Sequence, residues 1–168
     1  VKGVVSVPGS KSITNRALVL AALTDQCTVA GALQSDDTEV MVDSLRRLGF
    51  DVRADWNATE IFVSRSPHRR IIPNEFADLF VGNSGTTMRF LTAFACLGQG
   101  TYRLDGVPRM RERPIRDLLD ALLELGVDAR SDGDNGCPPV VVRAGGLPGG
   151  RVRIRGDVSS QFLSGLLM

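Results

Sequence analysis

The nine residues Pro8-Gly9-Ser10-Lys11-Ser12-Ile13-Thr14-Asn15-Arg16 place a cation and two hydroxyls at the start of a predicted helix and a second cation one turn inside it. A β-like run, Val4-Val5-Ser6-Val7, leads into Pro8-Gly9, and apolar residues Ile13, Ala17, Leu20, Ala21 and Leu23 follow at helical spacing. The segment is therefore a strand-to-helix turn. Its free N–H groups and the positive end of the helix dipole favour an anion by ~0.3–2 kcal/mol. Charge-assisted bonds from Lys11 and Arg16 would each add about 1.5–3 kcal/mol to a phosphate or carboxylate once partly desolvated. Lys2 and Lys11 are the only lysines in an arginine-rich chain, which leaves few compact ammonium groups for chemistry. A nucleotide P-loop is excluded, because the G-x-x-x-x-G-K-[ST] pattern needs glycine where Val5 and Ser10 stand.

Three further segments carry related chemistry. In Gly82-Asn83-Ser84-Gly85-Thr86-Thr87-Met88-Arg89, Gly85 offers an N–H with no Cβ in front of it, and Asn83, Ser84 and Thr86 can donate more bonds. A Gly/Ser/Thr turn that merely caps a helix reads the same way. The loop Asp105–Pro114 holds Arg109, Arg111 and Arg113; one guanidinium aimed inward would grip a carboxylate with two prongs, while the others pair locally or stay solvated. Ser159, Ser160 and Gln161 are neutral donors and acceptors suited to a phosphate and a hydroxylated ring. A cap would use only one of those serines.

These turns recur. Gly9, Gly82 and Gly156 follow short β-like runs at separations of 73 and 74 residues, and aligning the first two brings Arg16 onto Arg89. The stretch Val42–Arg53 parallels Leu119–Arg130, each an amphipathic helix closed by a glycine, Gly49 or Gly126, and followed by a strand. Pro114 suits the first turn of its helix. The unit is strand, turn, helix, strand, helix, strand and one more strand such as Pro139–Arg143; Asp55–Asn74 and Ala144–Gly150 read as connections. Chance similarity between α/β segments is the alternative. On the repeat reading, units cover roughly 1–75 and 76–148, and a third, opening with Arg151–Gln161, is cut short at 149–168, about 55 residues before completion.

Composition narrows the rest. With 168 residues, 43% hydrophobic and 23% charged, the chain has the make-up of a globular protein, and a formal charge of +1 with one Trp and one Tyr gives no footprint for nucleic acid. No window reaches the ~18 apolar residues of a membrane span. Cys27, Cys96 and Cys137 are odd in number and widely spaced, and the single His68 has no ligand-like neighbours, so inert thiols are expected and neither a metal nor a Cys/His nucleophile.

Taken together and in register, PGSKSxxNR, GNSGTTMR, PRMRERP and VSSQ closely resemble the EPSP synthase family over the whole chain. The related UDP-N-acetylglucosamine enolpyruvyl transferases usually carry asparagine after the lysine, where Ser12 stands here. The resemblance implies an α/β domain of repeated βαβαββ units, an inside-out barrel-like fold with helices inside and sheets outside, whose helix N-termini converge on a cleft. It implies transfer of the enolpyruvyl group of phosphoenolpyruvate to the 5-hydroxyl of 3-phosphoshikimate, with release of phosphate. No cofactor and no metal are implied, nor any nucleic-acid or membrane partner. By motif position Lys11 would contact both substrates, Ser12 and Arg16 the phosphoshikimate, Ser159 and Ser160 its phosphate side, and Gln161 both; Gly85 and Arg109 would face phosphoenolpyruvate. The acid and base residues would come from a second domain absent from this chain, leaving the chain alone inactive. A monomer when full length is implied, in the cytoplasm, or in a plastid if a transit peptide is missing. Two departures stand out: Phe90 replaces a common proline, and Ser84 an alanine often found there. Gly85 is retained, which implies glyphosate binding by the intact enzyme. The rival readings are a non-catalytic phosphosugar or anion-binding module, or another enolpyruvyl transferase.

Overall fold

The computed structural model describes residues 8–65, 70–155 and 159–168; the Val4–Val7 run, His68 and the Gly156 turn lie outside them. The first unit contains α1 (Lys11–Ala22), β1 (Gln26–Ala30), α2 (Asp36–Arg47), β2 (Asp51–Asp55) and β3 (Glu60–Ser64). The second contains β4 (Phe76–Phe80), α3 (Gly85–Ala95), β5 (Gln99–Asp105), a 3-10 turn (Pro108–Glu112), α4 (Arg116–Glu124), β6 (Asp128–Ser131) and β7 (Val140–Gly145); α5 (Ser160–Leu167) follows.

The local signals explain these elements. Helix α2 carries Asp36, Asp37 and Glu39 in its first turn and Arg46 and Arg47 in its last, matching its dipole at both ends. It stops where Gly49, at φ +97°, lets Phe50 N–H reach back to the Leu45 carbonyl at 3.1 Å. Gly126, at φ +84°, closes α4 in the same way through Val127 and Leu122 at 3.0 Å. Pro114 sits just ahead of α4 instead of in its first turn, because the Ile115 N–H is bound to the Gly136 carbonyl at 2.9 Å and the helix begins after it.

Two expectations are corrected. The Asp55–Asn74 connection contains β3, whose alternate residues Ile61 and Val63 are fully buried while Glu60 is exposed. Its polar flanks mask this two-residue alternation. Conversely, Arg151–Arg155 alternates in exposure but forms no strand and joins neither sheet of the described residues.

The repeat holds at the level of topology. β1, β3 and β2 form an antiparallel sheet in that order, and β5, β7 and β6 repeat the order in the second sheet, with β4 added parallel to β5. That parallel pair is joined through α3. Val52 pairs with Val63, and Tyr102 with Val142, so each sheet presents a buried apolar face. The helices pack inside these faces, as expected. α3 is the hub, touching α1, α2, α4 and α5, and Phe90 and Leu91 on it are completely buried. At roughly 1.5–3 kcal/mol per fully buried large apolar side chain, this helix ties the two units together. No described helix is long and apolar enough to cross a membrane.

Candidate functional site

The N-terminal ends of α1, α2 and α3, together with Gln161 at the start of α5, line one open cleft of about 870 Å³. Four helix starts facing one space give it a positive field before any side chain is counted. From α1 come Lys11 and Ser12. Lys11 Nζ lies 2.5 Å from Asp37 Oδ2 of α2; the lysine side chain is 58% exposed and the aspartate 19%, so the ammonium remains open to the cleft. At that exposure the pair itself contributes about 0–1 kcal/mol, and its effect is chiefly to aim the cation.

Gly85 begins α3. A Cβ built on it would stand 2.7 Å from Arg113 Nη1 and 3.0 Å from Arg89 Nη1, so two guanidiniums crowd the space that the missing side chain leaves. Among the described residues neither arginine has a carboxylate within ion-pair distance. Burial first, and then the charge of Arg113, lowers the Arg89 guanidinium from its ordinary value, although it remains protonated. Two like charges lining a partly dry wall form a receptor for an anion. Gln161 spans the wall: its Oε1 accepts from Arg89 Nη1 at 2.7 Å and its Nε2 donates to Thr86 Oγ1 at 3.1 Å.

The other expected residues lie near but not on this wall. Arg16 donates to the Ser12 carbonyl at 3.0 Å and to Ser164 Oγ at 3.3 Å, with its guanidinium 4.9 Å from the Phe90 ring centre. It joins α1 to α5. The Arg16–Arg89 correspondence seen in the repeat recurs here, since Arg89 lies 5.2 Å from the Phe162 ring centre. Ser159 caps α5 by accepting the Gln161 N–H at 3.2 Å, and Ser160 is exposed with its carbonyl accepting from Ser164 at 3.0 Å. Phe90 is the buried platform beneath Arg16, and Ser84 caps α3 by accepting the Thr87 N–H at 3.2 Å.

The arginine loop divides three ways. Arg109 is exposed on the 3-10 turn and does not line the cleft; Arg113 does. Arg111 binds Asp105 through two bonds of 2.9 and 2.7 Å. Burial pushes the Asp105 carboxyl up, but the Arg111 bonds, the Gly106 N–H at 2.8 Å and the charges of Arg111 and Arg103 outweigh it and hold the group below the usual carboxylate range. A carboxyl held down in the folded state contributes stability that is complete above its unfolded pKa of about 3.9 and is lost as pH falls through the folded value. Asp105→Asn in the full-length protein is therefore expected to lower Tm at pH 7 and to lower it much less near pH 3. Equal losses at both pH values, read by scanning calorimetry, would assign the effect to packing. The Cys96 thiol is buried and pushed up to about 12, which makes it inert.

Sequence reasoning missed Asp37, Arg89 and Arg113 as cleft groups. The last two were visible inside quoted motifs; Asp37 was not, because its turn lacks a glycine signature and reads as an ordinary acidic helix start.

A family model described as EPSP synthase (3-phosphoshikimate 1-carboxyvinyltransferase) matches residues 1–168. The 3-phosphoshikimate 1-carboxyvinyltransferase of Marinomonas sp. (strain MWYL1) is 47% identical over 167 residues, covering 99% of this chain and 39% of the relative. The chloroplastic enzyme of that name from Arabidopsis thaliana is 46% identical over 175 residues, covering 100% of this chain and 34% of the relative. Among solved structures, EPSP synthase from Acinetobacter baumannii superposes with a TM-score of 0.80 at 25% identity, over 98% of this chain and 37% of that one. The chain thus spans about two-fifths of the length of the curated relatives it matches.

Proposed function

Because the chain belongs to the EPSP synthase family, we propose that it supplies one part of an enzyme that moves the enolpyruvyl group of phosphoenolpyruvate to 3-phosphoshikimate. The observation that carries this reading is the placing of Lys11 and two guanidiniums, Arg89 and Arg113, that have no carboxylate partner among the described residues, around one cleft at four helix starts. Both substrates are multiply charged anions, and such a wall neutralises them while holding two reacting atoms close.

In this scheme the 5-hydroxyl oxygen of phosphoshikimate bonds to C2 of phosphoenolpyruvate as C3 takes up a proton. The hydroxyl gives up its proton, and the tetrahedral adduct then expels inorganic phosphate as the C3 proton leaves. Lys11 stands between the substrates and offsets charge on both. Arg113, with Arg89 beside it, holds the phosphoenolpyruvate anion against the Gly85 N–H, in the role that motif position suggests for Arg109. Gln161 bridges the two subsites, and Ser12, Arg16, Ser159 and Ser160 form the phosphoshikimate side. The proton donor and base belong to the remainder of the enzyme, within a second domain that completes the cleft. The units 1–75 and 76–148, and the start of a third at 149–168, make up most of the first. A cytoplasmic or plastid setting suits a reaction of small soluble anions, and the plant relative is named as chloroplastic.

The test is phosphate release by the full-length protein, followed against time with each substrate omitted in turn. Release that requires both substrates is expected, and release with phosphoenolpyruvate alone, or none, would overturn the reading. The 168-residue chain by itself is expected to give no turnover in the same assay.

A further inference from the structure

Asn15 is completely buried on α1, one turn behind Lys11. Its Nδ2 donates to the Asp37 carbonyl of α2 at 3.3 Å and to Thr87 Oγ1 of α3 at 3.3 Å. Thr87, also completely buried, donates its hydroxyl to the same Asp37 carbonyl at 3.1 Å and lies 2.7 Å from Ser84 Oγ.

The hydrogen assignment is forced. A carbonyl can only accept, so the amide nitrogen of Asn15 and the single hydroxyl proton of Thr87 both point at Asp37. The remaining lone pairs of Thr87 accept from Asn15 and from the Ser84 hydroxyl, and Ser84 Oγ accepts the Thr87 N–H at 3.2 Å. One small network therefore joins the first turns of α1, α2 and α3 under the floor of the cleft. The residue it grips, Asp37, is the one whose side chain holds Lys11 at 2.5 Å.

Asn15 Oδ1 is buried and has no partner among the described residues. An amide selected for stability alone would not leave that acceptor stranded beside a well-packed core, since an unpaired buried acceptor is costly and an apolar residue of similar size avoids it. We infer that Asn15 and Thr87 are positioning residues: they latch three helix starts together and so set the separation between Lys11 and the Gly85 wall. This rests on the enolpyruvyl-transfer reading. Ser84, where the family pattern has alanine, adds the second hydroxyl of the latch.

The experiment uses the full-length enzyme with Asn15→Leu, Thr87→Val, Thr87→Ser and the Asn15→Leu/Thr87→Val double variant. Loosening the latch misorients two bound substrates, so each single apolar change is expected to lower kcat by about tenfold or more while both KM values stay within about threefold. Thr87→Ser keeps the hydroxyl and should return kcat to within about twofold of the parent, and the double variant should lose little more than the worse single one. Asn15→Leu is expected to be at least as thermostable as the parent. A folded Thr87→Val enzyme with unchanged kcat overturns the proposal, as do additive losses or failure of Thr87→Ser to rescue. If Asn15→Leu does not fold, Thr87→Val and its serine counterpart decide alone. If the parent shows no turnover, the enzymatic reading falls by itself, and crystal structures of the parent and Thr87→Val judge the latch: a changed separation between Lys11 and Gly85 supports it, and an unchanged separation overturns it.

Discussion

Replacing Lys11 by alanine in the full-length enzyme is expected to lower kcat/KM by about 10²–10³-fold, the range found when a preorganised group facing developing charge is removed. The magnitude has two sources. Lys11 would contact both anions, each contact contributing about 1.5–3 kcal/mol when partly desolvated. Its loss also frees Asp37, now 2.5 Å from Nζ, to present an unpaired carboxylate to those anions. The double variant Lys11→Ala/Asp37→Asn separates the two sources and should recover part of the loss. Lys11→Arg keeps the charge but replaces a compact ammonium with a planar fork, so it should remain well below the parent. Steady-state kinetics that leave Lys11→Ala within about threefold of the parent would remove this residue from the reaction.

The second large effect discriminates within the arginine loop. Arg113→Ala is expected to raise KM for phosphoenolpyruvate by about 10–100-fold, corresponding to one charged contact of 1.5–3 kcal/mol, and to leave KM for phosphoshikimate nearly unchanged. Arg109→Ala should alter neither by more than about twofold, as expected for an exposed surface charge. Titration of each substrate at saturating levels of the other reads both. The reverse pattern, with Arg109 sensitive and Arg113 silent, would restore the assignment by motif position and show that the loop rearranges when substrate binds.

The loop shows why the sequence was legible only in part. Three arginines within five residues signal an anion function, but which one turns inward depends on Asp105, which draws Arg111 away, and on the 3-10 turn, which leaves Arg109 in solvent. Both are tertiary facts. Repeating turns, the glycine-closed helices and the β/α alternation were readable because they depend on local backbone needs and spacing. Strand β3 was not, since Phe62 between its two inward residues turns the alternation into a short apolar run flanked by Glu60 and Ser64, and only the sheet reveals which side chains face inward. Asp37 was hidden for the opposite reason: an acid in the first turn of a helix is so well explained by the dipole that nothing in its neighbourhood points to Lys11, twenty-six residues away in sequence.

The strand order β1-β3-β2, repeated as β5-β7-β6, bears on how such a chain is made. In each three-strand run the central strand, β3 or β7, is the last to be synthesised, so the strands on either side of it are not bridged until it leaves the ribosome. The β1-β3-β2 sheet therefore closes only once its last strand appears, while in the second sheet the parallel β4–β5 pair can form first and β7 then joins β6 to it. Stalling just before residue 60 would leave both β1 and β2 unpaired, whereas stalling just before residue 140 would leave β6 unpaired beside an already formed β4–β5 pair.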